Sequence, residues 1–181
     1  MLEEHCIRYC SPTLASLKTG SIFSCPYTSK ENLLPIIRTL NKKVQHKGLR
    51  VIPLRYGKKQ AIIYVYRPNQ LEEDLKQPIA HTLLQKCGYC CKNSNCCIQQ
   101  LVLRLKDYKD FPHEIGLFLG YPPEDVKGFI DNKKETYCGF WKVYTNPEKA
   151  KRLFGQYKKC SEIYMKLWNN GASLEQLTVA I

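Results

Sequence analysis

The sequence predicts an α+β fold in which a small, mostly antiparallel sheet of about four strands is covered by helices. Three observations lead to this prediction. Two segments rich in β-branched and aromatic residues flank a short turn at residues 57–59, which is typical of a β-hairpin. Apolar residues recur at helical spacing in most other segments. Hydrophobic residues make up 44% of the 181 residues, which is enough to form a packed core.

The length favours one domain, so we expect residues 1–181 to form a single domain with a helical subdomain at approximately 70–135. No apolar run approaches the roughly 20 residues that a membrane span requires. The first ten residues include acids and no apolar signal segment, so we expect a cytoplasmic protein. The 10 cysteines should then be reduced thiols, metal ligands or packed apolar side chains.

The N-terminal segment, residues 1–20, is dominated by small and turn-forming residues, so we expect a loop with at most a short helix. A short strand is predicted at residues 21–27. Thr28 and Glu31 then have the spacing of a capping box, and the apolar stripe behind them predicts a helix that continues to about Lys47.

The predicted hairpin pairs residues 49–56 with residues 60–67. Pro53 cannot donate a ladder hydrogen bond, so the first arm should be an edge strand or contain a bulge. Helices are expected at 71–76 and 78–86, because apolar residues recur there on one side.

The segment after these helices is a cysteine-rich loop at residues 87–97, followed by a helix predicted at residues 98–108. Proline and glycine signals then predict two short helices, from about 112 to 119 and from about 123 to 131. Residues 137–144 are aromatic and β-branched, which predicts a fourth strand. The order resembles a split βαβ unit with a helical insertion between its third and fourth strands.

The last long helix is predicted from a capping Asn146, with Pro147 at its first position and an apolar stripe that continues to Trp168. Ser173 and Gln176 have the spacing of another capping box, which predicts a short final helix.

Five thiols lie close together in the cysteine-rich loop: Cys87, Cys90, Cys91, Cys96 and Cys97. Thiolates bind zinc or iron–sulfur clusters, so Cys87, Cys90, Cys96 and Cys97 are candidate ligands for such a cofactor. Zinc sites usually separate two cysteine pairs by a longer stretch than the one found here. The alternative is therefore a flexible loop of reduced thiols.

A second candidate metal set joins residues that are distant in the sequence: Cys6, His113, Cys138 and Cys160. Cys160 follows Tyr157 on the apolar side of the last helix, which also agrees with a packed core thiol. Packing explains Cys138 in the aromatic strand equally well.

Cys6, His113 and Glu114 are the candidate catalytic residues, with a cysteine thiolate as nucleophile and His113 as its proton partner. His113 and Glu114 do not complete the HExxH motif of metalloproteases, because Leu117 occupies the position of the second histidine. The alternative for the pair is a structural first helical turn with a favourably placed carboxylate. The residues do not specify a reaction.

The formal net charge of +12 favours anionic partners, although the charges are spread over the whole chain. Residues 114–130 resemble a helix-turn-helix, which makes a nucleic-acid-binding module one alternative. The second helix, however, opens with Glu124 and Asp125, whose carboxylates would face phosphates and base edges. Nucleic acid is therefore the less favoured partner.

The segment FPHEIGLFLGYPPEDVKGFI at residues 111–130 resembles an uncharacterised family of anaerobic Firmicutes (clostridia and relatives), known as a domain of unknown function. Shorter matches at 141–144, 149–154, 157–160 and 173–177 extend the resemblance over nearly the whole chain. The paired cysteines at 90–91 and 96–97 depart from the family pattern, which favours Cys6, His113 and Cys160 as shared site residues.

The resemblance implies redox or iron physiology rather than a defined activity. We therefore expect an accessory protein that handles a metal, iron or a redox cofactor in a cysteine and histidine pocket. A further alternative is an interaction adaptor that binds an acidic redox protein, such as a flavodoxin, on its basic face.

Overall fold

The computed structural model describes residues 2–107 and 111–181, and it confirms the α+β class. The chain divides into two compact units. We call the first the sheet unit, which comprises Met1–Asn69 and Lys159–Ile181. The second, the helical unit, comprises Gln70–Lys158. The organisation of the whole chain as a single domain stays a prediction.

The sheet unit is built on a three-stranded antiparallel sheet in the order β1-β3-β2. Its strands are β1 (Gly20–Pro26), β2 (Arg50–Tyr56) and β3 (Gln60–Tyr66). Since β1 and β2 both pair antiparallel with β3, they run parallel to each other, and helix α2 (Lys30–Val44) connects them as in a split βαβ unit. The predicted fourth strand is not part of this sheet.

Local sequence signals position the hairpin and α2. The register of β2 against β3 shifts between Pro53 and Arg55, and β2 lies at a sheet edge, so both predictions for Pro53 are confirmed. The capping prediction for α2 is one residue out. Ser29, not Thr28, is the N-cap, and its hydroxyl accepts a hydrogen bond from the backbone N–H of Asn32 at 3.2 Å.

The prediction of a loop at residues 1–20 is wrong, because Leu2–Leu14 forms helix α1. Leu2, Cys6, Cys10 and Leu14 recur every fourth residue, and all four are buried in the core of the sheet unit. The two cysteines act as small apolar side chains and complete the apolar face of the helix. Pro12 lies in its last turn.

A buried arginine, Arg67, holds three segments of the sheet unit together. Its guanidinium donates to the carbonyl oxygens of Thr13 (2.8 Å), Leu14 (2.6 Å), Val179 (2.8 Å) and Lys47 (3.0 Å). The first two carbonyls belong to the C-terminal end of α1, where carbonyl groups lack helical partners. Burial of this side chain, which is 0% exposed, lowers the pKa of the guanidinium.

The C-terminal segment completes the sheet unit. Leu174 and Leu177 are buried in the same core as α1 and the sheet. The predicted capping box forms, since Ser173 N–H donates to Gln176 Oε1 at 2.8 Å and Gln176 N–H donates to Ser173 Oγ at 3.2 Å. These residues form a turn rather than the predicted helix.

The helical unit contains most of the remaining elements, and two of its helices, α3 and α8, begin or end in the sheet unit. The elements are α3 (Pro68–Lys76), α4 (Pro78–Lys86), α5 (Ser94–Asp107), α6 (Ile115–Phe118), α7 (Pro123–Ile130), β4 (Tyr137–Cys138), β5 (Lys142–Val143) and α8 (Pro147–Asn169). The predicted cap of α8 is confirmed, because Asn146 Oδ1 accepts from Lys149 N–H at 3.0 Å. The predicted end of α5 at Tyr108 lies outside the described residues.

The predicted strand at 137–144 is instead the short hairpin β4–β5, in which Tyr137 pairs with Val143. The turn approaches α8 closely at Gly139, where an added Cβ would collide with the ring of Phe154. This close approach requires glycine at position 139. The aromatic composition that suggested a strand serves packing, since Trp141 is buried against Phe154.

Candidate functional site

The segment at residues 111–145 forms a compact site within the helical unit. Gly120 has a φ of 72°, so the predicted left-handed turn after α6 is confirmed. Gly116 lies against the next helix, because an added Cβ would be 2.9 Å from Val126 Cγ2 and 3.0 Å from Tyr121 Cδ2. The absence of a side chain at Gly116 therefore allows Tyr121 and α7 to approach α6.

Asp125 anchors the β4–β5 hairpin to α7. The carboxylate is buried and accepts hydrogen bonds from Trp141 Nε1 (2.9 Å), Tyr144 N–H (2.8 Å), Thr145 N–H (3.1 Å) and Thr145 Oγ1 (3.1 Å). These four bonds satisfy a charge that would be costly to bury without partners. They also fix the orientation of the Trp141 indole.

An open cavity of about 420 Å³ lies beside this hairpin, and we call it the aromatic cavity. Its lining includes Phe111, His113, Tyr121, Phe129, Trp141 and Lys142. The floor contains the stacked rings of Tyr121 and Trp141, whose centroids are 4.7 Å apart. At the exposed rim, His113 meets Phe129 edge to face at 4.9 Å, and Lys142 Nζ lies 5.9 Å from the Phe129 centroid. The cavity is therefore aromatic inside and cationic at its entrance.

A second cavity of about 330 Å³ shares Phe111, Pro112 and His113 with the aromatic cavity. It is also lined by Cys87, Arg104, Glu114 and Ile130. The segment from Phe111 to His113 therefore lies between the two cavities.

Glu114 is the centre of a buried polar cluster at the second cavity. Its Oε1 atom is 2.9 Å from Arg104 Nε and accepts a hydrogen bond from the Tyr89 hydroxyl at 3.0 Å. Arg104 also donates to the carbonyl oxygen of Cys87 at 2.7 Å. Burial, followed by the nearby Glu114 carboxylate, raises the pKa values of the Tyr89 phenol and the Cys87 thiol. Both groups are therefore neutral at neutral pH.

The candidate metal and catalytic residues are distributed over both units. Cys6 and Cys160 are buried in the sheet unit, His113 lies at the cavity rim in the helical unit, and Cys138 is exposed in β4. Within residues 2–107 and 111–181, no three His, Cys, Asp or Glu side chains are grouped to hold a metal ion. Burial first, and then the neighbouring Cys10 and Cys25, raises the pKa of Cys6, which disfavours a thiolate there.

The loop in the cysteine-rich segment is shorter than predicted, because Cys96 and Cys97 lie in the first turn of α5. Cys87 is the C-cap of α4, and Cys90 and Cys91 belong to the connecting loop. Burial raises the pKa of Cys97 to about 12. Whether these thiols bind a metal stays a prediction.

The predicted helix-turn-helix is incomplete as a DNA-binding element. Its first helix, α6, has only four residues. In α7, Asp125 is engaged with the hairpin, Glu124 is exposed, and the exposed Lys127 pairs with Asp131 at 2.7 Å. The face that would meet a major groove therefore lacks a group of unpaired cations.

His113 was singled out from the sequence, whereas the aromatic side chains that line the cavity with it were not. Tyr121, Phe129, Trp141 and Lys142 come from a turn, a helix and the hairpin. The high density of aromatic residues between 111 and 144 was the available signal, but the same residue types are also typical of a strand and of helix packing.

Comparisons with other proteins add a family but no activity. Within residues 2–107 and 111–181, no helix combines the length and apolar character needed to cross a lipid bilayer. No curated protein and no solved structure matches the chain significantly. A family model described as "Protein of unknown function (DUF3793)" matches residues 6–178, so the chain belongs to this family, as its motifs suggested.

Proposed function

We propose that the chain is an accessory binding protein whose aromatic cavity holds a small, planar, anionic molecule. The observation that carries this proposal is the combination of a ring-lined interior with His113 and Lys142 at the entrance. Its volume of about 420 Å³ lies within the range of roughly 300–1,000 Å³ that is usual for ligand pockets.

The shape of the proposed ligand follows from the rings. Aromatic side chains favour offset stacking or edge-to-face contact with another ring, so Tyr121, Phe129 and Trp141 together suit a planar ring system. Asp125 fixes the indole, so the floor is organised before a ligand arrives.

The charge of the proposed ligand follows from the rim. Lys142 also interacts with Glu135 at 3.5 Å, but this pair is exposed, so an entering anion can compete for the ammonium group. The carboxylate of Asp125 at the floor has four hydrogen-bond donors and does not present an uncompensated negative charge. An anionic tail on the ligand would therefore lie at the entrance.

Redox-active aromatic cofactors combine a planar ring system with an anionic tail, and they belong to this ligand class. Redox-cofactor handling is thus the part of the predicted function that the cavity favours. Flavin mononucleotide and riboflavin form a suitable pair of probes, because they share the ring system and only the first carries a phosphate.

The test is a titration monitored by the fluorescence of Trp141 in a Trp168→Phe background, where Trp141 is the remaining tryptophan. We expect saturable quenching, with tighter binding of flavin mononucleotide than of riboflavin. In Lys142→Gln, the preference for flavin mononucleotide over riboflavin should be roughly tenfold smaller, which corresponds to one weakened charge contact.

The matched controls are Phe129→Leu, which removes a ring from the cavity, and Phe140→Leu, which removes an exposed ring that does not line it. The first should weaken binding and the second should not. Equal effects of the two variants, or the absence of saturable binding by any planar anion, would refute the proposal.

Metal handling through Cys6, His113, Cys138 and Cys160 stays a prediction. Its test is elemental analysis of protein purified under reducing conditions. Stoichiometric zinc or iron that is lost in Cys6→Ala, but retained in a control variant that replaces an exposed serine with alanine, would support metal binding. Wild-type protein without metal would contradict it.

A second candidate function is an adaptor for an acidic redox protein, and one observation in the helical unit favours it. Lys133, Lys134, Lys149, Arg152 and Lys158 are all exposed, and none of the five forms a salt bridge with another described residue. Exposed cations without salt-bridge partners attract an acidic protein surface. Reversal of charge at Lys133 and Lys134 should abolish binding to an acidic flavodoxin at low salt and leave flavin binding unchanged.

A further inference from the structure

We propose that Cys91 and Cys97 form a reversible dithiol–disulfide pair, whose substrates are small-molecule disulfides such as oxidised glutathione. Burial first, and then the neighbouring Cys91, raises the pKa of Cys97, which indicates that the two thiols lie close together. Both residues line a cavity of about 150 Å³. The proposal is independent of the ligand in the aromatic cavity.

The geometry of the loop places the two residues together. The loop after α4 follows one face of α5, and its contacts recur at helical spacing along that face. Cys90 N–H donates to Gln100 Oε1 at 2.9 Å, and Arg104 donates to the Cys87 carbonyl at 2.7 Å. Cys97 lies on the same face, one turn before Gln100, because residues three and four apart are neighbours on a helix. The contact between Cys91 and Cys97 therefore continues this series.

Two further hydrogen bonds hold the start of α5. Asn93 Oδ1 accepts from Cys96 N–H at 2.9 Å, and Glu72 Oε2 accepts from Ser94 N–H at 2.7 Å. These bonds hold the first turn of α5, where Cys97 is buried. Cys97 is consequently a fixed partner toward which the loop thiol can move.

Cys91 itself has a backbone conformation that is uncommon for its residue type. Its φ is 48°, in the left-handed region, and its thiol donates to the Tyr89 carbonyl at 3.5 Å. Such a conformation persists where surrounding contacts determine it, and it is found preferentially at functional sites. Cys91 is partly exposed, whereas Cys97 is buried, so Cys91 is the thiol that an oxidant reaches first.

The chemistry is two successive thiol–disulfide exchanges. Burial raises the pKa values of both thiols, so each exchange proceeds through a minor thiolate fraction and becomes faster as the pH rises. The Cys91 thiolate attacks one sulfur of the oxidised glutathione disulfide, the glutathione S–S bond breaks, and one reduced glutathione leaves. The Cys97 thiolate then attacks the Cys91 sulfur of the mixed disulfide, and a second glutathione leaves. The two protons lost by the cysteines end on the two released thiols, so the protein is oxidised by two electrons and the glutathione disulfide is reduced by two.

The test uses the full chain, fully reduced and then equilibrated with glutathione at defined ratios of oxidised to reduced form. Trypsin cleaves after Lys92 and so separates Cys91 from Cys97 in the sequence. A disulfide between them keeps peptides 87–92 and 93–104 linked, and we expect this linked pair with a loss of two free thiols.

Matched variants identify the two sulfurs. Cys90→Ser and Cys96→Ser change the adjacent cysteines and should retain the linked pair, whereas Cys91→Ser and Cys97→Ala should lose it. Circular dichroism confirms that each variant folds. Persistence of the linked pair in Cys91→Ser, or its absence from wild-type protein at every glutathione ratio, would overturn the proposal.

Discussion

Replacement of Arg67 by methionine should strongly destabilise the sheet unit. Methionine keeps much of the apolar stem of the side chain but removes all the donors of the guanidinium. Four carbonyl oxygens, those of Thr13, Leu14, Lys47 and Val179, then lose the hydrogen bonds that Arg67 provides.

The expected magnitude follows from these four bonds. A hydrogen bond to a charged group contributes about 1.5–3 kcal/mol, and such contributions do not add fully within one network. Because four carbonyl oxygens lose their donor and the contributions overlap, we expect Arg67→Met to lower the free energy of unfolding by about 4 kcal/mol. Arg67→Lys should lose less, because its ammonium group retains three donors but cannot reproduce the planar fork.

Urea denaturation, monitored by Trp168 fluorescence in a Trp141→Phe background, measures this effect in the sheet unit. Trp168 packs against the core of that unit, and the chain contains two tryptophans. The matched control is Arg8→Met, which removes only an exposed salt bridge with Glu4 at 3.1 Å and should cost less than about 1 kcal/mol. The assigned role of Arg67 is wrong if Arg67→Met lowers the free energy of unfolding no more than Arg8→Met does, while the dependence of that free energy on urea concentration is unchanged.

Three further predictions concern other buried groups. Asp125→Asn places its amide NH₂ opposite either the Trp141 N–H or the backbone N–H groups of Tyr144 and Thr145, so a donor meets a donor in both orientations. Urea denaturation should therefore show a loss of about 2–3 kcal/mol with altered Trp141 fluorescence. Burial raises the pKa of Cys10 to about 12, so its contribution to stability is fully present below about pH 9 and is lost as the pH rises toward 12. Denaturation at several pH values should therefore show a decline that is shallower in Cys10→Ala by about 1.4 kcal/mol per pH unit. Glu114→Gln leaves Arg104 without its buried counter-charge and should lower the thermal midpoint of the helical unit by several degrees.

Controls for these predictions lie close to the altered groups. Glu124→Gln changes the exposed acid beside Asp125 and should leave stability within about 0.5 kcal/mol of wild type. Cys138→Ala, which removes an exposed thiol, is the matched cysteine control for Cys10→Ala. An equal thermal midpoint for Glu114→Gln and wild type would mean that the Arg104 ion pair adds nothing to the fold.

The elements that sequence reasoning located well are those whose signals are local. The β2–β3 hairpin, the bulge at Pro53 and the start of α8 at Asn146 each depend on neighbouring residues. Helix α1 was missed because small and turn-forming residues dominate residues 1–20, although Cys6 and Cys10 complete an apolar face at helical spacing.

The candidate site was predicted only in part, because it depends on pairs that are distant in the sequence. His113 and Glu114 were singled out, but the partner of Glu114, Arg104, lies in another element, helix α5. Nothing local marks Asp125 as a buried acceptor for Trp141, and its charge was interpreted as an exposed helix terminus. Such pairings arise from tertiary packing, and one sequence alone contains no direct signal for them.

The division of the sheet unit into two chain segments has a consequence for the order of events during synthesis. A chain that emerges N-terminus first exposes α1 and all three strands before Leu174 and Leu177, which complete their core, have been made. The whole helical unit is synthesised in this interval, and it is continuous in sequence. We therefore expect the helical unit to reach its native structure before the last core residues of the sheet unit have been synthesised. A nascent chain halted before residue 174 should show protease-resistant fragments from residues 70–158 and not from residues 1–69.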